Sequence, residues 1–122
     1  MTKQKEHRKH KRFQAPKGVF VGVGPDFVKV GRLRDVSIRG LAFRYFGNGS
    51  ALNGSYVDVF MEEGDFYLGR LPIKTVSDIE VVKKTSSDSK TLRRCCVKFK
   101  KLTPHQKAKL QEFIDTHTVG EV

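Results

Sequence analysis

From Phe13 to Phe99 the sequence runs in short alternating stretches divided by turn residues, and no helical pattern lies between them. In "KGVFVGV" Val19, Val21 and Val23 fall on one face, the period of two that a half-buried strand requires. "GPD" at 24–26 is turn chemistry, and "FVKVGRLRDV" follows it as a second strand. "LAFRYF" aligns Leu41, Phe43 and Tyr45, and after the glycine- and asparagine-rich "GNGSALNGS", "YVDVFM" aligns Val57, Val59 and Met61. "FYLGRLPIKTV" and "IEVV" continue the series, with Pro72 predicting a strand break or an edge. Asp78 and Glu80 are expected at ordinary exposed positions. After the polar tip "KTSSDSKT", "LRRCCVKF" sets Cys95, Val97 and Phe99 on one side and Arg94, Cys96 and Lys98 on the other. Six or so short strands joined by turns predict a mainly β domain, an antiparallel barrel or sandwich.

One helix closes the pattern. Thr103 can cap "LTPHQKAKLQEFIDTH", Pro104 suits the first helical position, and Gln106 completes a capping box. Leu110, Phe113 and Ile114 form a narrow apolar stripe suited to docking on the strands. The helix is expected over about 103–117, ending before Gly120.

A chain of 122 residues with 38% hydrophobic content suits one domain with one core. No run approaches the roughly 18 apolar residues of a membrane span, and no apolar stretch follows the basic N-terminus as a secretory signal requires. Cys95 and Cys96 are adjacent and have no second pair to form a disulfide framework. Two reduced thiols in a strand fit a reducing, cytoplasmic setting. His7, His10, His105 and His117 are scattered towards the ends, without the ordered spacing of a metal site. No metal or cofactor is expected.

The formal net charge is +11, and much of it sits at the start: Lys3, Lys5, Arg8, Lys9, Lys11 and Arg12 face only Glu6. Such asymmetry points to an anionic partner, whether nucleic acid, nucleotide or membrane surface. Catalytic constellations are missing from the sequence. There is no Gly-x-Ser-x-Gly elbow, and "GVGPDF" departs from a dinucleotide loop at Pro25. The chain reads as a binding protein and not as an enzyme.

Two half-motifs narrow the choice. Arg8 and Arg12 are spaced as Arg-x-x-x-Arg, and Asp35, Ser37 and Gly40 as Asp-x-Ser-x-x-Gly after the first two strands. Either alone is common in basic runs or turns. Together, in this order and on this strand pattern, the chain resembles the PilZ domain family, bacterial receptors for the second messenger cyclic di-GMP. The resemblance runs from the arginine motif to "RRCCVKFKKLTPHQ", similar to the family's last strand entering its C-terminal helix. Cys96 stands where glycine often follows the cysteine.

The resemblance implies a six-stranded antiparallel β-barrel over 14–118 and a flexible basic arm over 1–13. It also implies a cyclic di-GMP site of Arg8, Arg12, Asp35, Ser37 and Gly40, with Arg39, Lys9 and His10 as secondary candidates. Arginine's planar fork can bind phosphate or the O6 and N7 edge of guanine, and its plane can stack on a base. A carboxylate at Asp35 can accept from the N1 and N2 donors of guanine. Ser37 offers a hydroxyl, and Gly40 permits close approach. The implied mechanism is ordering of the arm over the barrel when ligand binds, read by an unidentified downstream protein. Two other readings stay open: a small basic barrel that binds RNA or DNA, and a PilZ-like adaptor without ligand. Exposed aromatics not evidently arranged for stacking argue against nucleic acid, and retention of both motifs argues against the ligand-free adaptor.

Overall fold

The structure, a computed structural model, describes residues 11–47, 55–81 and 91–122. Its strands are β1 (Phe13–Gln14), β2 (Val19–Gly24), β3 (Val30–Val36), β4 (Gly40–Gly47), β5 (Tyr56–Met61), β6 (Tyr67–Glu80) and β7 (Thr91–Phe99). Helix α1 (Pro104–His117) and the short β8 (Gly120–Glu121) complete the described elements.

All pairings are antiparallel, in the order β2-β5-β6-β7-β4-β3, and a β2–β3 pairing closes the ring. The six-stranded barrel expected from the strand pattern is therefore present. Closure leaves no bare edge in the ring. The period of two turns one side of each strand inward, so Val19, Val21, Leu41, Phe43, Val57, Leu71, Cys95 and Val97 fill the interior, each almost fully buried. Each large apolar side chain so buried contributes about 1.5–3 kcal/mol.

Pro72 does not break its strand. β6 runs through it for 14 residues because it changes partners there: Tyr56 pairs with Pro72 at the start of β5, and β7 takes over at Ile73 opposite Phe99. The missing N–H falls where the ladder to β5 is ending, and the Pro72 carbonyl still accepts from Lys100 N at 2.8 Å.

Asp78 also departs from expectation. A bulge between Thr75 and Ser77 inserts an extra residue opposite β7, and the bulged Val76 is exposed. Beyond it the inward and outward positions exchange, so Ser77 pairs with outward Cys96 and Asp78 with inward Cys95. Asp78 thus accepts from Tyr45 Oη at 2.6 Å and Arg93 Nε at 2.8 Å, and it pairs with Lys29 Nζ at 2.7 Å. Burial raises the carboxyl's pKa, but these donors together outweigh it and hold the group below its ordinary value.

Helix α1 covers one end of the barrel. Thr103 Oγ1 accepts from Gln106 N at 3.1 Å, and Gln106 Oε1 accepts from Thr103 N at 2.9 Å, forming the expected capping box. Leu110, Phe113 and Ile114 are buried, and Phe66 packs on Phe113 with centroids 5.1 Å apart. Beyond the helix, β8 returns alongside β1, and β1 in turn pairs with β3.

Candidate functional site

The end of β3 builds the site. Its first residues pair with β2, from Val30 to Arg32, whereas Asp35 and Val36 pair with Gln14 and Phe13 of β1. Phe13 packs against the core and anchors this short strand. β8 secures the other side of β1: Val119 N donates to Gln14 O and Val122 N to Arg12 O, both at 2.9 Å. Arg12, immediately before β1, is thereby set beside Asp35.

Arg12 Nε donates to Asp35 Oδ1 at 2.7 Å, and Arg12 Nη2 lies 2.6 Å from the same oxygen. Arg94 Nη2 stands 3.5 Å from Asp35 Oδ2. The Asp35 side chain is 11% exposed, so this charge cluster is largely shielded from water. Mutual attraction offsets the cost of removing these ions from water, and losing one partner would leave that cost unmet.

Ser37 is buried and committed to its own turn. Its Oγ accepts from Arg39 N at 3.0 Å and Gly40 N at 3.3 Å, while Ser37 N donates to Gly40 O at 2.8 Å. This is the local hydroxyl-to-backbone pattern that fixes a tight loop. Gly40 is required by packing: a Cβ there would lie 2.2 Å from the Val97 carbonyl oxygen, forcing β4 from β7. Arg39 is exposed, and its carbonyl accepts from Phe99 N at 2.8 Å.

Of the expected site residues, the structure brings Arg12, Asp35, Ser37 and Gly40 together around one loop. Arg39 lies on that loop, lining a groove that runs to α1. Arg8, Lys9 and His10 lie outside the described residues.

Two arginines join the site that the motifs did not single out. Asp35 pairs with Ala42 and Ala42 with Cys96, while Arg32 pairs with Arg44 and Arg44 with Arg94. These are neighbouring rows on the outer face, since Leu41, Phe43, Cys95 and Val97 point inward. Ala42 is fully buried despite its outward position, so side chains around it close over this floor. Arg44 Nε is also buried and finds no hydrogen-bond partner among the described residues. Like charges opposite one another on adjacent strands repel. An unpaired donor in a row of three arginines is therefore suited to receive an anion. Alternation alone had turned Arg94 outward, but only the register shows that it meets Asp35.

Among the described residues no group of three or more His, Cys, Asp or Glu could hold a metal ion. No helix there is long and apolar enough to cross a membrane. Cys95 and Cys96 are unbridged, and burial pushes the Cys95 thiol up to about 12.

No family model and no curated protein matches the sequence. Solved structures do match its fold. The PilZ domain of YcgR from Escherichia coli, determined with cyclic di-GMP, superposes with a TM-score of 0.70 over 92% of each chain, at 20% identity. A structure of YcgR from Escherichia coli in complex with cyclic di-GMP gives 0.65 at 20% identity, covering 90% of this chain and 45% of that one. MrkH, a cyclic di-GMP-dependent transcription regulatory factor, gives 0.58 at 13% identity, covering 88% of this chain and 49% of MrkH. The chain folds as a PilZ-like domain and spans about half the length of the longer YcgR chain and of MrkH.

Proposed function

We propose that this chain is a receptor for cyclic di-GMP, with the ligand seated on the outer face at the end of β3. The observation that carries the reading is Asp35, a shielded carboxylate held between Arg12 and Arg94 beside the Ser37–Gly40 loop. That the similar folds of YcgR bind cyclic di-GMP supports it.

The chemistry is an exchange of partners. Asp35 accepts from the N1 and N2 donors of one guanine, releasing the guanidiniums it holds. Arg12 and Arg94 then turn to phosphate oxygens, for which their forked donors are suited. With Arg44, the site offers three cations against one carboxylate, a balance matched to a dianion. Ser37 and Gly40 act through the loop, the hydroxyl fixing its shape and the glycine keeping β4 close to β7. Arg8, four residues before Arg12, is the candidate to close over the ligand from the arm, with Lys9 and His10 supplying general positive charge. Ordering of that arm would present a changed surface to a downstream protein, which is the proposed relay.

Calorimetry tests this directly. The purified chain is titrated with cyclic di-GMP, with GTP and with a short single-stranded RNA at several salt concentrations. Saturable heat from cyclic di-GMP alone, with a shallow salt dependence, is expected. RNA binding that falls steeply with salt and ignores Asp35→Ala would instead make the chain a polyanion binder.

A further inference from the structure

The loop that holds Ser37 has a second side. There Ile38 and Arg39 line a groove of about 590 Å³ that runs from the end of β7 to α1. Its apolar floor is Ile38, Phe99, Leu102 and Leu110. Leu102 and Leu110 are buried, but Ile38 is 43% exposed at a turn position. Around this floor stand Arg39, Lys100, Lys101 and Lys107, and none of the lining residues is acidic.

We infer that this groove docks an acidic peptide segment of a partner protein. One or two large apolar side chains would seat on Ile38, Phe99 and Leu102, with Asp or Glu residues against the four surrounding cations. Volume and lining fit the size range of a binding cleft, and its single sign of charge selects carboxylates and repels basic surfaces. Single-stranded nucleic acid fits less well, because a floor with one aromatic ring, Phe99, among aliphatic side chains gives successive bases no stacking platform, and the cations ring a cleft instead of tracking a strand.

The groove shares its wall with the loop described above. Phe99 N donates to Arg39 O at 2.8 Å, and Arg39 N donates to Ser37 Oγ at 3.0 Å. Partner and ligand would thus meet one loop from two sides, although the chemistry of the groove does not depend on the dinucleotide reading.

The test uses fluorescence anisotropy at physiological salt with the full chain. The probe is a fluorescein-labelled peptide with Leu and Phe spaced among Asp and Glu. A control keeps its charge but carries Ser at every apolar position. The expected result is binding of the probe and at least roughly tenfold weaker binding of the control. Lys101→Glu combined with Lys107→Glu, and separately Ala108→Gln, which narrows the groove at an exposed helix position, should each weaken the probe by roughly tenfold. Thermal melting should be unchanged. Equal affinity for probe and control would reduce the effect to general charge and overturn the proposal. So would probe binding that ignores these variants, or a lack of probe binding beside RNA binding that Lys101→Glu abolishes. Cyclic di-GMP calorimetry on the same variants should match the parent chain, so failure at either surface is told apart from failure at the other.

Discussion

Arg12 places two donors on a single oxygen of Asp35, Nε at 2.7 Å and Nη2 at 2.6 Å, while the other oxygen faces Arg94 at 3.5 Å. The two arginines come from opposite sides, one before β1 and one on β7, and meet only through this carboxylate. Asp35 therefore holds the two arginines together, and in the proposed receptor it is the group that would select guanine.

Asp35→Ala removes the acceptor and leaves two guanidiniums unneutralised. Cyclic di-GMP binding should weaken by between roughly fivefold and 150-fold, since a good bidentate base contact is worth about 1–3 kcal/mol. Asp35→Asn keeps one acceptor and should fall between parent and alanine. Arg12→Lys keeps the charge but loses the fork, so it should weaken binding nearly as much as Arg12→Ala. Calorimetry on the four variants checks the order.

Arg44 and Arg94 should matter although neither belongs to the two motifs. Arg94→Ala removes a phosphate donor and the second partner of Asp35. Arg44→Ala removes from the same row a buried N–H that has no partner among the described residues. Each should cost roughly tenfold in affinity, as loss of one charge-assisted hydrogen bond does. Their effects on melting temperature should diverge. Arg44→Ala relieves repulsion along the row with Arg32 and Arg94 and should be neutral or stabilising, whereas Arg94→Ala should be slightly destabilising. Unchanged affinity in both variants would confine the site to Arg12, Asp35 and the loop.

The short β8 gives a test that leaves every site side chain in place. Val119 N donates to Gln14 O, and Val119→Pro deletes that bond. Thr118 already has φ −84° and ψ 160°, the extended conformation that a following proline favours, so the change is tolerated locally. Loosening β1 should let Arg12 drift from Asp35. Affinity for cyclic di-GMP should drop severalfold while the melting temperature changes little, because the barrel ring does not include β8.

Much of this architecture was legible in the sequence. The inward series from Val19 to Val97 showed in the period of two, and Thr103, Pro104 and Gln106 announced the helix, because each signal is local. What stayed hidden depends on how distant strands meet. Asp78 looked exposed because a bulge at Val76 inverts the faces beyond it, and nothing in "KTVSD" marks that extra residue. Pro72 looked like a break because the change of partner from β5 to β7 is a property of barrel closure. Arg44 and Arg94 became candidates only through the β3-β4-β7 register, and β8 was too short to leave a pattern. Asp35 and Arg12 could be singled out as candidates because each lies in a motif that is contiguous in sequence.

Cys95 and Cys96 should separate chemically. Burial pushes the Cys95 thiol up to about 12, and the thiolate is the reactive form. Cys96 is half-buried on the outer face. In the folded protein at mildly alkaline pH, one thiol should react with a thiol-specific reagent, and peptide mapping should place the label on Cys96. Both should react in denaturant. Rapid labelling of Cys95 in the native state would show that the barrel opens along β7.

The Asp78 cluster should set the acid limit of the fold. Lys29, Tyr45 and Arg93 hold the Asp78 carboxyl below its ordinary value, so over the interval between its folded and unfolded values the unfolded chain binds more protons. Stability from this group is therefore complete above the ordinary carboxylate range, near pH 4, and is lost as pH falls through the lower folded value. Asp78→Asn should destabilise the domain at neutral pH by about 3 kcal/mol, because Lys29 and Arg93 are left shielded without their counter-ion. The same variant should lose less of its remaining stability on acidification than the parent, and the two melting temperatures should converge once the pH falls below the lowered folded value of Asp78. Thermal melts followed by circular dichroism across the acid range check both. Parallel curves that never converge would show that another carboxylate governs acid unfolding.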